Sequence, residues 1–178
     1  ENAVLLSRFW DAVVSPAIYL QAIEGARRDV TVVDVELLRR SWYYPQLDRW
    51  DAALLAPNRD RLATFLERVA DFEAGRPYDS ARIEESYRAV IAGIARGHHP
   101  PRPAACTADA EPEMDETGVL VPEGLASVLR GGPEEVRAVE PPDVAGLLGS
   151  GYRPDAPIHR MVVLAWAQAI AARIRFLE

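Results

Sequence analysis

The chain has 178 residues, of which 49% are hydrophobic and 26% charged, and it carries a formal net charge of −7. Length and composition describe one globular domain able to bury about 70% of its unfolded surface, which excludes wholesale disorder. The acidic balance excludes a nucleic-acid surface, because nothing would offset repulsion from the phosphates.

In chain order, the apolar run at 3–9, with Val4, Leu5 and Leu6 at its centre, reads as a strand buried on both faces. Ser15-Pro16 is a helix start, with Ser15 as N-cap and Pro16 at the first helical position. That helix runs over 17–24 and stops at Gly25. The β-branched stretch 30–35 is the clearest strand in the sequence. Residues 3–36 therefore spell strand, helix, strand, for which a right-handed parallel crossover is the default.

A helical segment fills 40–97. A short helix over 37–50 leads into it, Asn58 caps a helix running to about residue 74, and Asp79 or Ser80 caps another that ends near Gly97. After the proline-rich connector 100–103, residues 104–107 form a third strand. An acidic loop covers 109–116. Its carboxylates suit a hard cation in composition only, since the Gly-centred spacing of a calcium loop is missing, and a solvated connector is the plain reading. Residues 119–130 read as one strand interrupted at Pro122 and Gly124, at a sheet edge. A turn-rich excursion follows over 131–142. Ile158, Met161, Val162, Ala165, Trp166, Ala169, Ile170 and Ile174 keep three-four spacing and predict a long amphipathic C-terminal helix within 102–177. The expected fold is a single α/β domain over 1–178, with a small, mainly parallel sheet and helices on both faces.

All 20 basic residues are Arg. The lack of Lys excludes Schiff-base chemistry and a Walker lysine. Cys106 is the sole cysteine, so neither an internal disulfide nor a cysteine metal cluster forms. No Gly-rich phosphate loop follows either strong strand, and no HExxH, CxxC or GxSxG occurs. His98 and His99 follow a helix end, and His159 neighbours Arg160; all three read as structural or solvated. No cofactor and no metal are expected. The longest nearly uncharged apolar run, 161–172, is too short to span a bilayer, which takes about 20 residues.

One constellation has a geometric basis. In a parallel α/β sheet, ligands sit beyond the carboxyl ends of the strands. Those ends carry Arg8, Trp10 and Asp11 after the first strand. They carry Asp34, Glu36, Arg39 and Arg40 after the second, then Trp42, Tyr43 and Tyr44, with Thr107 and Asp109 after the third. Carboxylates that accept hydroxyl hydrogens, beside aromatic faces, suit a sugar. The alternative is that Trp42, Tyr43 and Trp50 belong to the core or an interface and that the charges pair with one another.

Asp11, the run Ser15-Pro16-Ala17-Ile18-Tyr19-Leu20-Gln21, Glu24-Gly25, Arg28-Asp29-Val30-Thr31-Val32-Val33, Leu37-Leu38, Trp42-Tyr43 and Gln46-Leu47 together resemble a segment of large bacterial multi-pass membrane proteins. These are relatives of the protein O-mannosyltransferases, with the glycosyltransferase C-type fold. Arg102-Pro103, Pro112-Glu113 and 121–125 are similar to the same family's soluble tail. The resemblance implies a soluble C-terminal domain on the extracytoplasmic face of the cytoplasmic membrane, with transfer chemistry in the membrane-embedded half as its partner. An opening at Glu1-Asn2-Ala3-Val4, with the first Met at Met114, fits a piece of a longer protein. The expected function is a non-catalytic domain that binds a sugar or acceptor through Asp11, Trp10, Asp34, Glu36, Arg39, Trp42 and Tyr43, or that docks on the membrane half. The rivals are a free-standing enzyme using Asp11 and Asp34 as acid and base, and an interaction domain using the 42–50 aromatics.

Overall fold

The β-branched run becomes a strand by pairing with the first apolar run. In the computed structural model β1 (Val4–Ser7) and β2 (Thr31–Asp34) are parallel, in register from Val4 opposite Thr31 to Ser7 opposite Asp34. The structure describes residues 1–96, 102–114, 119–123 and 125–130, with scattered positions between 153 and 174. The readings of His98, His99 and His159, of 131–142 and of most of the C-terminal helix lie outside the described residues.

Between the two strands the chain makes a π-helical turn, Trp10–Val14, and then α1 (Ser15–Ile23). Ser15 is not the N-cap, because the turn already supplies an acceptor: the Ser15 N–H donates to the Trp10 carbonyl. Gly25 ends α1 as expected, with φ of +70°, a value that favours a residue without Cβ.

After β2 come 3₁₀ turns at Leu37–Arg39 and Ser41–Tyr43, then α2 (Tyr44–Trp50) and α3 (Ala52–Leu55). The single helix expected over 37–50 is thus broken, as the extended backbone of Arg40 requires. The long pair α4 (Arg59–Glu73) and α5 (Ser80–Arg96) pack along each other. Asn58 precedes α4 without capping it; its amide donates instead to the Leu54 carbonyl. Asp79 is the cap of α5, its Oδ1 accepting from the Ala81 and Arg82 amides at 3.0 and 3.1 Å.

β3 (Ala104–Thr107) lies parallel to β1 on its other side. A short α6 (Glu111–Met114) occupies part of the acidic loop. β4 (Val119–Glu123) and β5 (Ala126–Arg130) complete a five-stranded sheet of order β2-β1-β3-β5-β4. The pairings of β3 with β5 and of β4 with β5 are antiparallel. The sheet is therefore mixed, which corrects the mainly parallel expectation. Two residues separate β4 from β5, and a connection that short closes only an antiparallel pair. Pro122 sits in the edge strand β4, where its missing N–H costs least.

Val4, Leu6, Val33, Ala104 and Cys106 form one side of the core, packed with Phe65, Tyr87, Val90, Ile91 and Ile94 of α4 and α5. By strand alternation Leu5 and Val32 face the other way. The π-helical turn contacts β1 and β2, and its Val14 is buried. At the amino ends of the strands, Arg102 ties three elements together. It donates to Asp51 at 2.6 Å and to the Thr31 hydroxyl at 2.8 Å, while Thr31 donates to Asp51 at 2.5 Å.

Candidate functional site

The carboxyl ends of β1, β2 and β3 carry a polar cluster set into an otherwise apolar sheet. β1 leads towards β2 while β3 leads away to β5 and β4. The ends of β1 and β3 thus flank the point where connections diverge, the usual seat of a ligand in such sheets. Ser7 and Thr107, both buried, place their hydroxyls 2.9 Å apart across it. Thr107 donates onward to one oxygen of Asp109, and the other oxygen accepts the Arg8 backbone N–H at 2.7 Å.

Asp34 ends β2 and is buried. Its Oδ1 accepts the Leu37 N–H at 3.0 Å, and its own N–H donates to the Tyr43 hydroxyl at 3.1 Å. Burial pushes the Asp34 carboxyl above its usual range. The Leu37 and Glu36 amides pull against that, and the Glu36 and Asp109 charges add to it.

A chain of alternating charges runs across this rim. Glu113 pairs with Arg8, Arg8 Nε with Glu36 at 2.7 Å, and Glu36 with Arg39 at 3.9 Å. Arg39 Nη1 reaches Glu84 at 2.7 Å while its guanidinium lies 3.8 Å from the Tyr87 ring centre. Glu113 is held with only 11% of its side chain exposed, and its second oxygen, Oε2, is buried without a hydrogen-bond partner among the described residues.

Of the residues expected at the site, Asp34, Glu36 and Arg39 are brought together with Arg8, Thr107 and Asp109. Trp10 and Asp11 are exposed on the π-helical turn that follows. Tyr43 is a correction: it is 2% exposed, with its hydroxyl engaged by Asp34, so its ring cannot stack on a ligand. Burial pushes its hydroxyl up to about 12. Trp42 is exposed and meets Tyr43 edge-on, centroids 6.0 Å apart. No hydrogen bond joins Asp11 to Asp34.

The solvated reading of the acidic loop is also corrected at three positions, since Asp109, Glu111 and Glu113 all hold partners, Glu111 accepting from Ser127 at 2.5 Å. Ser7 and the two charged residues Glu113 and Glu84 are the site residues that sequence reasoning missed. The one signal for the charged pair is opposite charge to Arg8 and Arg39, and pairing over such chain separations is invisible without the fold.

Among the described residues no group of three or more His, Cys, Asp or Glu side chains is placed to hold a metal ion. None of their helices is long and apolar enough to cross a membrane. No family model, curated protein or solved structure matches the chain.

Proposed function

We propose that the chain is a non-catalytic, extracytoplasmic domain of a larger glycosyltransferase-like membrane protein, and that its strand-end rim binds a sugar or hydroxyl-rich acceptor. The resemblance over 11–47 supports the placement. One observation carries the ligand class: Glu113 Oε2, a buried carboxylate oxygen with no hydrogen-bond donor among the described residues, in a cluster flanked in sequence by the exposed Trp10. A carboxylate with spare acceptor capacity suits a hydroxyl-rich ligand, and the exposed Trp10, two residues after Arg8, offers an indole face in the same stretch of chain. The pairing of Arg8, Glu36 and Arg39 favours positioning over proton transfer.

Saturation-transfer NMR against a panel of mono- and disaccharides tests the ligand. A sugar that binds the native chain and is lost on Trp10→Ala supports the reading. No binding by any sugar removes it, and leaves docking on a membrane-embedded partner. The exposed Trp42 and Trp50, at 57% and 51%, favour that second use. The placement is tested by the reading frame: several apolar segments of about 20 residues ahead of Glu1 are expected, and their absence would overturn it.

A further inference from the structure

Beyond the Arg39–Glu84 end of the rim, the 3₁₀ segment after β2 and the facing ends of α4 and α5 form a pocket of about 220 Å³. Its floor is Phe65, Val69 and Ile83, and one side is the edge-to-face pair Phe72–Tyr78, centroids 5.1 Å apart at 79°. Phe72 and Tyr78 remain 40% and 52% exposed, so this apolar surface is open to solvent.

The charges at its mouth are unequal. Arg39 is committed to Glu84 at 2.7 Å and stacks on Tyr87. Glu84 also takes Arg88 at 3.3 Å. Glu73, beside Phe72 in sequence, is held at both oxygens by the Ser41 amide and hydroxyl at 3.0 and 2.5 Å. Arg40 lies 5.8 Å from the Phe72 ring centre and has no carboxylate within ion-pair range among the described residues. One cation therefore stands uncommitted over an aromatic pocket.

We propose that this pocket is a binding site for a small apolar monocarboxylate, an aryl- or alkyl-substituted acid, whose carboxylate pairs with Arg40 and whose body lies against Phe72, Tyr78 and the Phe65–Val69 floor. Size sets the class, because the volume is below the roughly 300–1,000 Å³ of sites for drug-sized ligands and admits one ring with a short chain. Charge narrows it further. A single guanidinium suits a monoanion, whereas a phosphate would need more donors than the pocket mouth offers. The pocket shares Arg39 and Glu84 with the end of the rim's charge chain, but the proposal does not rest on the sugar reading.

The test uses 4-phenylbutyrate and its neutral counterpart 4-phenylbutanol, with affinities from calorimetry and contacts from saturation-transfer NMR. The acid is expected to bind in the millimolar range and about fivefold more tightly than the alcohol, the increment of one partly exposed ion pair. Arg40→Gln is expected to bring the acid to the level of the alcohol and leave the alcohol unchanged. Phe72→Ala is expected to weaken both. Arg40 is exposed and Phe72 is partly so, which keeps both variants folded. Equal binding of acid and alcohol, an unaltered acid affinity in Arg40→Gln, or no binding of either compound would overturn the proposal.

Discussion

Asp34 and Asp51 are both carboxylates near strand ends, and burial acts on both, yet their titrations move in opposite directions. Asp34 has amide donors but no cation, so burial wins and its folded pKa is raised. A raised carboxylate pKa means that folding opposes ionisation, and the cost grows as pH rises from the unfolded value through the folded one. Asp34→Asn keeps an acceptor for Leu37 and removes the buried charge. The variant is expected to melt higher than the native chain at pH 7, and the difference is expected to vanish near pH 3, which calorimetry across that range would read.

At Asp51 burial is outweighed by the Thr31 hydroxyl and the Arg102 guanidinium, so the folded pKa is lowered. That stabilisation is present above the unfolded pKa and fades as pH falls through the folded one. With Arg102 only 9% exposed and Asp51 17%, Arg102→Ala leaves a buried carboxylate without its cation. A loss of about 3 kcal/mol at pH 7 is expected in urea unfolding, shrinking below pH 4. A loss independent of pH would show that packing of the Arg stem, and not the ion pair, is what matters.

Among the elements, α5 carries a site where local preference and packing conflict. Alanine normally outranks glycine inside a helix by about 1 kcal/mol. A Cβ on Gly93, however, would lie 1.9 Å from Asn58 Oδ1, and Asn58 is itself buried. Gly93→Ala is therefore expected to destabilise by about 1–3 kcal/mol, and Asn58→Gly in the same chain to recover part of it, measured by urea unfolding.

The period of the apolar residues made α4, α5 and the β-α-β opening legible, since Leu62, Phe65 and Val69, or Tyr87, Val90, Ile91 and Ile94, can face one core only as helices. The segment 119–130 was not legible in the same way. Its β-formers resemble one interrupted strand, and the reversal rests on two residues that also occur in bulges. The turn at 10–14 is not legible because Ser15-Pro16 is a strong start signal, and only the fold shows that helical backbone already precedes it. At the rim, the carboxyl ends of the strands point to Asp34, Glu36 and Arg39, but Tyr43 belongs to the core. In the polar and aromatic run 41–44, the pattern does not reveal that Tyr43 and Tyr44 turn inward while Trp42 stays exposed.

For the molecule as a whole, the sheet order determines which parts open first. β1 is paired on both sides and contacted by the π-helical turn, whereas β4 is an edge carrying Pro122. Amide exchange is expected to be slowest in β1 and fastest, among the strands, in β4. Equal protection of the two would mean that the sheet opens as one unit.

Cys106 adds a practical consequence. It sits on β3, between β1 and β5, and its thiol is buried in the core with no exposed area. Leu125, by contrast, is 43% exposed and immediately precedes Ala126, the strand partner of Thr107. A cysteine substituted there would be the one thiol open to maleimide, so a single dye could be attached next to the strand partner of Thr107, at the polar rim. Ligand binding at that rim would then be read as a change in the dye's emission, from the intact chain in solution.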